Sequence, residues 1–442
     1  MKIGLLALSG IVVRTESIAK MGVTLPGFVN RGKIIASLPS LALLIIAAMT
    51  PEDIDLEYVE IPNIDKHRIN PDFDLVAIST FSAQAFEAYE LADRYRENGI
   101  KVVIGGPHVT LLPEEAKSHV DSVVIGEAEP VWVDLINDFK TGKLKPYYKA
   151  DKPYDISKSP TPLYKFLDKN KHNRITVQTT RGCPHDCEFC AASKILGPYR
   201  KKPVELVVRD IEIIKEHWEH PFIEFADDNT FADKEWSKSL LKAITPLEIR
   251  WFTETDISIA QDDELLSLLR SSGCRQLLIG FESVVERSLE GMESNNWKLN
   301  QYNSYLSAIT KIQSYGISVN GCFILGLDND GPDIFQNTLE FIKESQLLEV
   351  QLTILTPFPG TGLYQRMKRE GRLLKEVYWD RCTLFDINFV PKNMTVNQLE
   401  DGSTWLGSQV YGEKAYIRRK NHYQQIVRSL SSVSSKSRTW PS

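Results

Sequence analysis

Only six of the 442 residues are cysteine, and none precedes Cys183. So few thiols exclude a disulfide-stapled secreted framework and point to a reducing compartment, here the cytoplasm. The chain also lacks an apolar run of the roughly 20 residues that cross a bilayer. Its most apolar stretch, IIASLPSLALLIIAAM at 34–49, is interrupted by Pro39 and reads as a helix buried against a sheet. The opening MKIGLLALSGIVV breaks at Ser9-Gly10 with no small-residue cleavage site after it, so a buried first strand is expected rather than a signal peptide. An excess of positive charge is missing as well: the net charge of −6 argues against nucleic acid as the main partner. Only the last 32 residues run the other way, at +6, and read as a solvated basic helix with a disordered end, SLSSVSSKSRTWPS. Such a tail also suits an acidic or membrane-associated substrate. No internal repeat is visible. The 42% hydrophobic and 25% charged composition is that of an ordinary globular protein, and the length predicts two or three domains.

Strand and helix signals alternate from residue 1 to about 145. Short β-rich runs stand at 2–8, 55–61, 74–79, 101–105 and 122–125, and helical periodicity fills the gaps, most clearly at 82–99. There Phe86, Leu91 and Tyr95 are expected to share a face, and Gly99 to stop the helix. Five apolar strands with intervening helices predict a doubly wound, Rossmann-like parallel sheet, with ligands beyond the carboxyl ends of its strands. Those ends fall near Ser79-Thr80, Gly105-Gly106 and Gly126-Glu127. Residues 146–172, rich in Pro, Lys and Asp, read as a linker. Six further βα units follow, with strands at 174–179, 222–226, 249–253, 276–281, 318–324 and 350–355, and predict a partial barrel over 173–390. Residues 391–442 read as a helical appendage with a disordered tail. The expected class is therefore α/β: a Rossmann-like domain over 1–145, a (β/α)6 partial TIM barrel and a helical C-terminal region.

Half of the cysteines lie in CPHDCEFC, where Cys183, Cys187 and Cys190 follow the spacing C-x3-C-x2-C directly after the first barrel strand. No fourth cysteine is near. Three close thiolates can hold three irons of a [4Fe–4S] cluster and leave the fourth open, and an open position separates a catalytic metal site from a structural one. A zinc site would need His185 or a distant Cys274, Cys322 or Cys382, with an unusual spacing.

This motif, with aromatic Phe189 before its last cysteine and six βα units behind it, resembles the radical S-adenosylmethionine (radical SAM) superfamily. The resemblance implies that S-adenosylmethionine chelates the open iron and is cleaved by the reduced cluster to a 5′-deoxyadenosyl radical. It also implies S-adenosylmethionine contacts at other strand ends. These are Asp227, Asp228 and Asn229 after the second strand, Glu282 and Ser283 after the fourth, and Gly326 after the fifth, where a glycine would let the backbone approach adenine. The Gly-Gly-Glu found in many members is absent, so these residues are assigned by position.

The stretch VAISTFSAQAFEAYELADRYRENGIKVVIGGPHVTLLPEEA with VVIGEAE resembles the cobalamin-binding domain of one large radical SAM branch, as do LTPFPGTGLYQRMKREGRLL and FVPKNMTVNQLEDG. The resemblance implies cobalamin near Ser79, Thr80, Gly105, Gly106, His108 and Glu127. His108 is expected to cap its loop rather than ligate cobalt. The D-x-H-x-x-G motif has only the look-alike DKHRIN, so His67 is expected at the surface. The activity implied is cobalamin-dependent methyl transfer to an unactivated carbon, or to phosphorus, of a small-molecule, lipid or natural-product substrate, with an electron donor such as flavodoxin or ferredoxin. Other radical chemistry on the same cofactors, ring formation or transfer of another S-adenosylmethionine fragment, is the enzymatic alternative. A cobalamin carrier or sensor is the non-enzymatic one, but it leaves the cysteine loop without purpose. Methylthiotransferases are set aside because they carry N-terminal cluster cysteines.

Overall fold

The computed structural model describes residues 1–22, 34–35 and 38–436. The first five β-rich runs form β1 (Lys2–Leu8), β2 (Asp55–Ile61), β3 (Leu75–Ser79), β4 (Lys101–Gly105) and β5 (Ser122–Ile125). A sixth strand, β6 (Tyr147–Lys149), comes from the stretch read as a linker and pairs in parallel with β5. Its lysine-rich flanks suit an edge strand, which hides the usual apolar signal. The sheet is parallel in the order β2-β1-β3-β4-β5-β6, so the winding reverses between β1 and β3. Ligand crevices of doubly wound sheets open at the carboxyl ends there.

Helices cover both faces. Helix α1 (Leu41–Met49) starts after Pro39, with the Ser40 hydroxyl accepting from the Leu43 amide. Helix α2 (Ala85–Glu97) buries Ala88, Leu91, Ala92 and Tyr95, whereas Phe86 points outward and is 42% exposed. Phe86 lies five positions before Leu91, which at 3.6 residues per turn sets it on another side of the helix. Helix α3 (Trp132–Lys140) closes the opposite face with Trp132, Leu135 and Ile136.

The second sheet is a six-stranded parallel arc in sequential order: β7 (Arg174–Val177), β8 (Phe222–Phe225), β9 (Arg250–Thr255), β10 (Cys274–Glu282), β11 (Ser318–Leu325) and β12 (Glu349–Ile354). Outside it pack α4 (Val204–His217), α5 (Lys234–Ile244), α6 (Asp263–Ser271), α7 (Tyr305–Ser314) and α8 (Ile334–Ser345). On β10, Leu277, Ile279 and Phe281 join the helix-facing core, so by strand alternation Gln276, Leu278 and Gly280 face the lumen.

Three more helices follow: α9 (Gly362–Arg369), α10 (Val396–Tyr411) and α11 (Glu413–Lys436). Residues 429–436 of the expected disordered tail continue α11, and 437–442 lie outside the described residues. The first unit is tied to this last part of the chain. Thr15 donates to Asp386 Oδ1 from its amide (2.6 Å) and its hydroxyl (2.7 Å), and Asp386 is fully buried.

Candidate active site

The cysteine loop leaves the tip of β7. Thr180-Arg181 pair antiparallel with Arg200-Lys201, so the intervening loop folds back on itself. Gly182 has φ +84°, and a Cβ there would stand 2.7 Å from the Gly197 carbonyl oxygen, which only glycine avoids. The Cys190 amide donates to the Cys187 carbonyl (3.0 Å). Outer contacts pin the loop. The Glu188 amide donates to the Met292 carbonyl, the Leu363 amide to the Glu188 carbonyl, and Arg366 of α9 grips the Glu188 carboxylate at 2.9 Å through both Nε and Nη2. Asp186 accepts from the Ser294 amide at 3.1 Å.

Cys183, Cys187 and Cys190 are all free thiols. Burial raises the pKa of each, that of Cys187 to about 12, and the charge of Cys190 acts on both of the others, so the three are neighbours. A nearby cation offsets this. Lys298 Nζ donates to Glu282 Oε1 (2.8 Å) and to the Gly280 carbonyl (2.9 Å), and its charge favours the thiolates of Cys183 and Cys187. Among the described residues no three His, Cys, Asp or Glu side chains converge as a mononuclear metal site requires. Neighbouring free thiols spread along one loop, with a half-buried cation beside them, fit a cluster that takes each thiolate at a different iron.

The strand-end residues divide into two groups. Asp228 and Glu282 come to the loop: the charge of Asp228 reaches Cys183 and Cys190, and that of Glu282 reaches Cys187. Glu282 also has the left-handed backbone, φ 61°, that turns its side chain toward Lys298. The others are engaged in the protein. Asp227 accepts from the Thr179 and Thr180 amides (both 2.8 Å) and from the hydroxyls of Thr179 and Thr230, so it ties the tip of β7 to that of β8. Asn229 donates to Asp256 Oδ2 (2.9 Å) and accepts from the Thr255 hydroxyl (3.3 Å). Ser283 accepts from the Val285 amide at 3.1 Å. A Cβ on Gly326 would lie 3.0 Å from both Leu399 and Phe389, so protein side chains already fill the space beside it. Phe189 packs half-buried on the barrel core.

Sequence reasoning missed Glu254, on β9. It is open to solvent in the barrel mouth yet enclosed by protein; this enclosure, then the charges of Glu224, Asp228, Glu282 and Asp227, push its carboxyl up to about 8. The alternation of β9 carries the signal for it: Trp251, Thr253 and Thr255 are buried on one face, and Glu254 takes the other.

At the edge of the first sheet the small residues serve two purposes. Gly106 has φ +110°, and a Cβ there would stand 2.6 Å from the Thr80 carbonyl oxygen, so this glycine permits close backbone packing. Thr80 is fully buried, its hydroxyl donating to the Phe81 carbonyl (3.0 Å). Ser79 and Gly105 are half-buried at the edge, Phe81 is 56% exposed, and a Cβ on Gly126 would meet nothing within 4 Å. An apolar ring and open space beyond the tips of β3 and β5 fit a flat macrocycle lying across the sheet edge.

Two residues expected at that macrocycle are held elsewhere. His108 is fully buried, with Nδ1 3.1 Å from the Ser82 hydroxyl, Nε2 3.2 Å from Glu115 Oε1 and its ring against Trp379. Both nitrogens are used, so it has none for cobalt. Glu127 accepts from Arg181 Nη1, from Arg200 Nη1 (3.1 Å) and from the Tyr154 amide (2.6 Å). His67, expected at the surface, is half-buried with Nε2 2.9 Å from the Tyr95 hydroxyl.

The two units meet in this ion cluster. Arg181, two residues before Cys183 and only 6% exposed, bridges Glu127 and, at 2.7 Å, Glu129. A single side chain thus joins the carboxyl edge of the first sheet to the cysteine loop.

A doubly wound domain whose carboxyl edge is bolted to a three-thiol loop on a partial barrel defines a two-cofactor radical enzyme, and comparison with known proteins agrees. Residues 177–342 match the Radical SAM superfamily, 29–136 the B12 binding domain, and 361–441 a domain of unknown function, DUF4070. The chain is 30% identical over 390 residues to a bacteriochlorophyllide d C-12(1)-methyltransferase of Chlorobaculum tepidum, covering 86% of this chain and 84% of that one. A hopanoid C-2 methylase of Rhodopseudomonas palustris is 27% identical, covering 78% and 67%. Among solved structures, the cobalamin-dependent S-adenosylmethionine radical enzyme OxsB with aqua-cobalamin bound gives a TM-score of 0.68 at 16% identity, over 96% of this chain and 71% of that one. The chain belongs to the cobalamin-dependent radical SAM methyltransferases, whose cofactors are a [4Fe–4S] cluster, S-adenosylmethionine and cobalamin.

Proposed function

We propose that the chain methylates an unactivated carbon, or phosphorus, of a small-molecule, lipid or natural-product substrate, with Cys183, Cys187 and Cys190 holding the cluster. Two relatives named for methylation of a bacteriochlorophyllide and of a hopanoid support this breadth of acceptors. The cluster and cobalamin, when bound, supply an electron that cleaves S-adenosylmethionine reductively and a carrier for its methyl group. The chain's own residues do the positioning. Asp228 and Glu282 accept from the ammonium and hydroxyl groups of S-adenosylmethionine beside the cysteine loop. Ser79, Phe81, Gly105 and Gly126 receive the macrocycle at the edge of the first sheet, and no histidine of this edge ligates cobalt. Arg181, Glu127 and Glu129 hold the two edges in register, and we place the chain's passage from one domain to the other after β6, within residues 150–172.

The observation that carries this reading is the trio of neighbouring free thiols bolted through Arg181 to an open sheet edge. An electron donor of the flavodoxin or ferredoxin type, in a reducing cytoplasm, completes the system. Among the described residues no helix is long and apolar enough to cross a membrane. Anaerobic purification with iron, sulfide and cobalamin supplied, followed by an absorbance spectrum, tests the cofactor assignment: both cluster and corrinoid bands are expected. With a candidate acceptor, S-adenosylhomocysteine and a methylated product are expected together. A preparation free of corrinoid, or turnover giving neither product, overturns the reading.

A further inference from the structure

The end of the barrel opposite the cysteine loop carries a feature that methyl transfer does not use. Where the chain enters β9 and where α6 turns into β10, a cleft of about 570 Å³ opens, and its charged lining is Arg250, Arg270, Arg275 and Glu248. That volume lies within the roughly 300–1,000 Å³ typical of small-molecule sites. Among the described residues none of the three arginines has a carboxylate within ion-pair distance, Glu248 included. Elsewhere in this acidic chain Arg181, Arg200, Arg366 and Arg372 all meet carboxylates.

The positive field is built from several elements. Partial enclosure by neighbouring protein, then the charges of Arg270 and Arg250, lower the pKa of Arg275, although its side chain still reaches solvent. Arg270 is held in place, its Nη1 donating to the Gly316 carbonyl (3.2 Å), which also accepts from the Tyr423 hydroxyl of α11 (2.8 Å). On the other rim, Lys215 of α4 donates to the Leu247 carbonyl at 2.6 Å. Helix α11 therefore runs past this cleft at Tyr423, and the charged groups that line the cleft itself are the three arginines and Glu248.

At the amino-terminal end of barrel strands, unusual side chains ordinarily serve stability. Unpaired like charges oppose it, so stability does not account for this cluster. Guanidinium groups lining one cleft are suited to bidentate hydrogen bonding of phosphate oxygens. We propose that this cleft binds the phosphate group of a small soluble phosphorylated molecule through Arg250 and Arg275, with Arg270 as a fixed third donor. This site is independent of the methyl-transfer reading, which neither requires nor excludes it.

Inorganic pyrophosphate is a suitable probe, titrated calorimetrically into the full-length holoenzyme at low ionic strength. Saturable binding at one site is expected. Arg250→Gln and Arg275→Gln are each expected to weaken it by about tenfold or more, the loss of one charge-assisted contact, and the double variant to abolish it. Both side chains are exposed, so the variants are expected to keep the parent's melting temperature, and either single variant suffices if the double one does not fold. Arg418→Gln, exposed on α11 and outside the cleft lining, controls for the loss of charge alone and is expected to bind like the parent. The proposal is overturned by unsaturable binding, by equal weakening in Arg418→Gln, or by unchanged affinity in the double variant. Adherence to phosphatidylglycerol vesicles without pyrophosphate binding also overturns it, in favour of a membrane-facing surface.

Discussion

Asp227 and Asp228 are neighbours in sequence with opposite duties, and each can be tested alone. Replacing Asp227 with Ala strands two backbone amides and two hydroxyls in a buried place, a loss of roughly 3 kcal/mol or more. Urea unfolding is expected to show that loss, whereas Asp228→Asn is expected to leave stability near the parent and weaken S-adenosylmethionine binding. The sequence places an Asp-Asp-Asn run at a strand tip but not which of its members turns inward, because a step of one residue reverses the face. Glu254 yields a pH dependence. Its folded pKa of about 8 stands above the ordinary glutamate value, so the folded chain binds the extra proton between the two. Stability from this group is full below the unfolded value and is lost as pH rises through about 8. Glu254→Gln is expected to flatten that slope in unfolding titrations. The slope is modest, since solvent reaches the carboxyl.

Among the elements, the antiparallel pair that opens the cysteine loop does two jobs through adjacent residues. Arg181→Gln leaves Glu127 and Glu129 without their shared cation and is expected to cost about 3–5 kcal/mol in denaturant unfolding. Arg181→Lys is expected to recover only part of this, since one ammonium cannot reproduce a two-armed guanidinium. Gly182→Ala forces a Cβ against the Gly197 carbonyl, so iron and sulfide analysis is expected to show reduced cluster content. The strands themselves were legible: eleven apolar β-rich runs appear in the fold within a few residues of where the sequence places them. β6 was not, because Tyr147–Lys149 is three residues long, pairs on one side only and buries a single side chain, Tyr148, too short a run to carry a strand's alternation. Nor was Arg181, whose carboxylate partners lie more than fifty positions away.

At the scale of the molecule, the two cofactor edges belong to separate sheets whose cores interlock, Val13, Ile18 and Leu44 packing into the barrel core and Tyr378 and Trp379 into that of the first sheet. Cys187→Ala is expected to lose the cluster absorbance and all S-adenosylmethionine cleavage while keeping bound corrinoid. Loss of corrinoid in that variant would show the sites to be interdependent. The sequence supplied the order of the units and their strands. It did not supply their junction, which rests on pairs far apart in the chain. The contact between Thr15 and Asp386 goes further, because it makes the order of synthesis matter. The first sheet leaves the ribosome long before residue 386 exists, so the Thr15 amide and hydroxyl must wait for the carboxylate that later buries them. Until then the first unit has its strands but not its final seat, and the late-made segment closes the assembly. A chain cut short before Asp386 is therefore left with a finished sheet and an unfastened beginning.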